Sequence, residues 1–152
     1  MVKLVGSLLL ALTGVVLAVS ISRFEQKKLR VLDSFISLIF HIKGQIDCYS
    51  LPLFDILHNR PSGLELPLGS DDFGEILYHS RIYLDSESYR LLERFYSEFG
   101  SLYREEQLKR CDYYIEALGE QRRMLFEDLP ARTKIGSALC ICSVIGILII
   151  LW

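Results

Sequence analysis

Arg23–Tyr49 reads RFEQKKLRVLDSFISLIFHIKGQIDCY, and this stretch decides the fold. Leu29, Leu32, Phe35, Ile36, Ile39, Ile42, Ile46 and Tyr49 recur at steps of three and four, which marks one face of a helix. No proline interrupts the stretch. Working back toward the start of the chain, the run Leu4–Ile21 carries no charged side chain, so one helix is expected to continue from that run through Tyr49. The far end mirrors it, because Ile135–Trp152 is also uncharged. As helices, runs of this length extend about 27 Å, close to a bilayer hydrocarbon core of about 30 Å. All 19 acidic residues and 16 of the 17 basic ones lie between Arg23 and Lys134. The expected organisation is therefore a transmembrane helix at 4–21, a polar helical bundle at 23–134 and a transmembrane helix at 135–152. The fold class is all-α, a bundle flanked by N- and C-terminal transmembrane helices.

Small residues punctuate both apolar runs: Gly6, Ser7, Ala11 and Gly14 in the first, Gly136, Ser137, Ala138 and Gly146 in the second. They would let neighbouring helices approach closely. Arg23, Lys27, Lys28 and Arg30, opposed by Glu25, follow the first run. Arg122, Arg123, Arg132 and Lys134, against Glu127 and Asp128, precede the second. Positive flanks on both sides of the middle place it in the cytoplasm. The rival reading is a signal peptide cut near Ala18-Val19-Ser20, which would release an exported domain anchored by the C-terminal helix. That alternative predicts oxidised Cys48 and Cys111. The cytoplasmic reading takes those two, with Cys140 and Cys142 in the second run, as buried or lipid-facing residues.

Within the middle, Pro52 ends the first helix, with Ser50 as a cap for a short helix carrying Leu53, Phe54, Ile56 and Leu57. Pro61, Gly63, Pro67 and Gly69 make Arg60–Gly69 a loop. Ser70 or Asp71 is expected to cap a helix reaching about Leu84, with Gly74 as a weak point. Asp85-Ser86-Glu87-Ser88 starts another that stops at Gly100. From Ser101 a long helix is expected, with a seam of Leu108, Cys111, Ile115, Leu118, Leu125 and Leu129 in which Arg122 fills one place. Pro130 is expected to interrupt or kink it.

Chemistry is sparse. His41, His58 and His79 sit on separate elements without ligand spacing, and His41, off the apolar stripe, reads as solvated. There is no phosphate-cradling glycine loop and no nucleophile elbow. A net charge of -2 without a basic face excludes a nucleic-acid partner. Tyr89, Tyr96, Tyr103, Tyr113 and Tyr114 suit core and rim packing. The expectation is no enzyme, no cofactor, no metal, no catalytic residue and no small-molecule substrate. A small enzyme using an exposed cysteine or histidine is the contrary reading, tested by alkylating Cys48 or Cys111.

The opening Met1-Val2-Lys3-Leu4-Val5-Gly6 and the segment Ile46-Asp47-Cys48-Tyr49-Ser50-Leu51-Pro52-Leu53 resemble motifs of the stage III sporulation protein AB family, with Gln45 where that family carries an acid. Phe95, Phe99-Gly100 and Gln107 resemble a further motif, and Lys134-Ile135-Gly136 its last helix start. The resemblance implies a cytoplasmic helical domain similar to F-type platform proteins of type II secretion. It implies a cell-membrane protein of the mother cell, facing the forespore within a channel-like complex. The implied partners are a secretion-type ATPase and other membrane subunits of that complex. On the same basis, Asp47, Tyr49, Pro52 and Leu53 are partner-contact candidates. The alternative is that Tyr49, Pro52 and Leu53 merely close a corner of the bundle.

Overall fold

The computed structural model describes residues 2–49, 53–59, 61, 63–66, 72–100 and 103–151, leaving aside the side chains of 2–11, 48, 49, 54, 137, 140, 144 and 148–151. The described secondary structure is helical throughout: α1 (Val2–Tyr49), α2 (Leu53–His58), α3 (Phe73–Ser80), a 3-10 turn (Arg81–Tyr83), α4 (Ser86–Glu98) and α5 (Arg104–Leu151). The chain divides into two compact units, residues 1–27 with 126–152, and Lys28–Leu125. The second falls inside the expected 23–134 bundle.

In Lys28–Leu125 the predicted stripe of α1 faces inward. Leu32, Phe35, Ile39, Ile42 and Ile46 are buried, joined by Val31 and Leu38. The buried arc is wider than the stripe because helices cover α1 on more than one side. From α5 come Cys111, Tyr114 and Leu118, with Leu108, Ile115 and Leu125 half-buried beside them. An aromatic chain crosses the core: Phe35 meets Phe73 edge-on at 6.0 Å, Phe73 meets Phe95 at 5.6 Å, and Phe95 meets Tyr114 at 5.4 Å. One ring from each of four helices thus interlocks, in the edge-to-face or tilted arrangements that aromatic quadrupoles favour.

Three ion pairs set α1 and α5 antiparallel: Asp33 with Arg122, Lys43 with Asp112, and Asp47 with Arg104. Arg122, at its expected place in the seam, turns outward to Asp33. The connection after α2 is tied down as well. Ser34 Oγ donates to the Arg30 carbonyl and accepts from the Glu65 amide, each at 2.9 Å, while Arg30 pairs with Glu65 at 2.8 Å. Leu66 then enters the core.

Several boundaries depart from expectation. The cap of α3 is Asp72, whose carboxylate accepts from the Glu75 amide, and α3 ends at Ser80 before the 3-10 turn. Ser70 and Asp71 lie outside the described residues, as do Ser50 and Pro52. Gly74 has a packing reason: a Cβ there would stand 3.1 Å from Asp72 Oδ2 and 3.4 Å from the Tyr96 ring. Asp85 caps α4 as expected, and Gly100 takes a positive φ of 81° just past its end. The last helix begins at Arg104 rather than Ser101. It also runs through Pro130 without ending. A proline removes one backbone donor, and nearby Thr133 Oγ donates to the carbonyls of Leu129 and Pro130.

In the unit formed by 1–27 and 126–152, the described residues that are covered are mostly small, with Ile21, Glu25 and Leu129 half-buried among them. Gly14 is buried and Ala18 half-buried. A Cβ on Gly136 would meet Ile21 Cγ2 at 3.2 Å. Large apolar side chains face outward, with Val15, Val16, Ile135 and Leu139 each over 60% exposed. Among the described residues, no helix is long and apolar enough to cross a membrane.

Candidate protein-docking site

The last turn of α1 carries no basic residue of its own. Its terminal carbonyls, which lack partners within the helix, need donors from elsewhere. Arg104, the first residue of α5, supplies them: Nε donates to the Ile46 carbonyl at 3.3 Å, and Nη2 donates to the Asp47 carbonyl and, at 2.9 Å, to Asp47 Oδ1. A guanidinium sits poorly at its own helix N-terminus and well at another's C-terminus. Arg104 directly precedes Glu105 and Glu106, the acids that suit α5's own start. That misfit is the signal by which the sequence could have revealed it, and sequence reasoning missed it.

Of the four contact candidates, Asp47 is exposed and clamped by Arg104. Leu53 opens α2 and is half-buried against the core, so part of it closes the corner. Tyr49 ends α1, but its side chain and all of Pro52 lie outside the described residues. Asp47 and Leu53 therefore stand at the two ends of one α1–α2 corner.

The second motif gathers elsewhere in the same unit. Phe95, Phe99 and Gln107 line one hollow with Glu98, Arg110 and Tyr114. The Tyr114 hydroxyl donates to Glu98 Oε2 at 2.9 Å, and Arg110 pairs with the same oxygen at 3.3 Å. Burial, then the bond to Glu98, pushes the Tyr114 phenol up to about 12. The hollow measures ≈ 10 Å³, room for about one water.

Among the described residues the catalytic candidates do not assemble, and the Cys48 side chain lies outside them. Cys111 is fully buried with a free thiol. Burial and the neighbouring Asp112 push that thiol up to about 11, and a protonated thiol is a poor nucleophile. His41, expected to be solvated, has a buried Nε2 without a hydrogen-bond partner, because its helix is covered more widely than the stripe suggested. His79 packs edge-on against Tyr78 at 5.7 Å. Among the described residues, no three His, Cys, Asp or Glu side chains cluster to hold a metal ion.

No curated protein and no solved structure matches the chain. The family model described as stage III sporulation protein AB matches residues 76–152, just over half of the 152 residues. The match takes in α4 and α5, and with them Phe95, Phe99, Gln107 and the clamp residue Arg104. The chain belongs to the stage III sporulation protein AB family, and its role lies in sporulation.

Proposed function

We propose that the protein is a non-enzymatic membrane subunit of a sporulation complex joining mother cell and forespore. Its Lys28–Leu125 unit is a cytoplasmic platform for a secretion-type ATPase and for other membrane subunits. The observation that carries the membrane part is the outward face of the other unit. Leu12, Val15, Val16, Leu17 and Val19 of α1, with Ile135, Leu139, Ile141, Ile145 and Ile147 of α5, are all exposed. Single exposed apolar residues are ordinary, but ten on one two-helix unit favour an apolar surrounding. The uncharged runs 4–21 and 135–152 have the length for it, and the positive flanks give the orientation.

The platform part rests on the family motifs and on the α1–α2 corner. Asp47 stands on a helix end that α5 holds, with Leu53 at the start of α2, an arrangement suited to a fixed contact. The signal-peptide alternative finds less support. α1 is one helix through Ala18–Ser20, and Cys111 is buried as a free thiol.

Cys111 is too buried to report accessibility, whereas Tyr103 is 90% exposed. In intact cells, Tyr103→Cys is expected to resist a membrane-impermeant maleimide until the cells are permeabilised, measured against labelling of the unsubstituted chain. Labelling before permeabilisation would place the bundle outside and end the platform reading. Capture of the complex's ATPase by the reconstituted full chain, weakened by Asp47→Lys, tests the corner.

A further inference from the structure

The unit of residues 1–27 and 126–152 holds charged side chains from which the platform reading takes only an orientation. The approach of Ile21 to Gly136 sets the level at which its two helices meet. Away from the apolar runs, Arg23 stands two residues beyond Ile21 and Lys134 two residues before Gly136; Lys27 and Arg132 follow. All four are exposed. The contact therefore brings Arg23 and Lys134 to one level at the charged end of the apolar surface, with Arg132 and Lys27 within about 6 Å farther along. Glu25, Lys27 and Lys134 each make interactions of their own within the chain. Glu25 is half-buried between Arg23 and Lys27, whereas Glu127 and Asp128 lie farther along α5 than Arg132, away from the apolar run. Arg132 pairs with Asp128 at 3.5 Å with both side chains more than half exposed, and such exposed pairs are weak enough for another anion to replace.

We propose that Arg23, Lys27, Arg132 and Lys134 form a collar that binds the headgroups of anionic phospholipids. The inference rests on the membrane reading and names the lipid that the anchored unit prefers. Arg23 and Arg132 offer planar forks that match a phosphate, while Lys27 and Lys134 add compact charge. Cations next to an apolar helix surface stand at headgroup depth, where an anionic lipid can meet charge and chain at once.

The full chain is reconstituted into vesicles of phosphatidylcholine, alone or mixed with phosphatidylglycerol, and the lipid retained on re-extraction is counted by mass spectrometry. The unsubstituted chain is expected to retain phosphatidylglycerol in preference. The Arg23→Gln, Lys27→Gln, Arg132→Gln, Lys134→Gln variant is expected to lose most of that preference, roughly fivefold per cation at most. If that variant does not fold, Arg23→Gln alone is expected to lower the preference and Glu25→Gln to raise it. Equal retention of the two lipids, or a preference indifferent to these substitutions, would overturn the collar. A preference abolished by inorganic phosphate alone would also overturn it, in favour of a free-phosphate site. Failure of the membrane reading looks different: the chain would not enter phosphatidylcholine vesicles, or alkaline carbonate would strip it from them.

Discussion

The two units are built largely from the same two helices, yet they are packed inside out with respect to each other's chemistry. Between Lys28 and Leu125, α1 and α5 bury Leu, Ile, Phe and Tyr side chains and expose their charges. In residues 1–27 and 126–152 the same helices turn Gly14, Ala18 and Gly136 inward with Ile21 and Leu129 half-buried beside them, while most of the described Val, Leu and Ile side chains face out. Water drives large apolar side chains together, which explains the first arrangement. That drive vanishes in an apolar solvent, where close backbone approach and van der Waals packing hold helices instead. The inversion is what the proposed bilayer setting requires of the second.

The comparison breaks most sharply at the core. Phe35→Ala removes the ring that links α1 to Phe73, and a loss of about 3–5 kcal/mol is expected for the Lys28–Leu125 unit. Val16→Ala, on an outward face, is expected to leave that unit's melting unchanged, and a paired thermal melt of the full chain in detergent checks both. An equal loss from the two would refute the contrast.

Gly136→Leu tests the other unit. A side chain where Ile21 already stands 3.2 Å from the Cβ position is expected to cost about 1–3 kcal/mol and drive the helices apart. Near-ultraviolet circular dichroism should meanwhile keep the aromatic signature of the bundle. Disulfide trapping between cysteines placed at Ser22 and Thr133, both half-buried beside the Ile21–Gly136 contact, reads the separation.

Arg104→Ala is a smaller and more local change. It deprives the α1 terminus of its donors, an effect of about 1 kcal/mol. Hydrogen exchange is expected to quicken at the end of α1 and in α2 before it does in α4. Arg104→Lys, which keeps the charge but not the fork, should restore only part of the protection.

A further effect lies at alkaline pH, outside the range in which the other changes are read. Cys111 and Tyr114 both titrate higher in the fold, to about 11 and about 12, than when exposed. Groups with raised pKa values bind their protons more tightly when folded. Their contribution is complete below the unfolded values, about 8.5 for Cys and about 10 for Tyr, and disappears as pH climbs through the folded ones. Stability should therefore fall as pH rises from about 9 to about 12. Cys111→Ser and Tyr114→Phe should each flatten that fall in pH-dependent denaturant titrations.

Much of the bundle was legible because helical periodicity is a local property. The stripe from Leu32 to Ile46 and the seam through Cys111 and Leu118 both lie in the core. Burial of Val31, Leu38 and His41 Nε2 was not legible, since it depends on how many helices cover α1. The cap at Asp72 was placed one or two residues early and the start at Arg104 three residues early. Several neighbouring polar residues can cap, and only the final geometry selects one. Of the candidate site, Asp47 and Leu53 could be named from the motif, but Arg104 could not be paired with Asp47 across 57 positions of chain.

The sequence by itself determined the helices, the charge-free ends and the family motifs, because periodicity, charge and motif spacing are written along the chain. Tertiary structure alone decided which partners meet. Arg104 was joined to α1, Ser34 to the Glu65 amide, and Ile21 to Gly136. The physical reason is that such contacts join residues remote in sequence, and their free energy appears only once packing has brought the helices together.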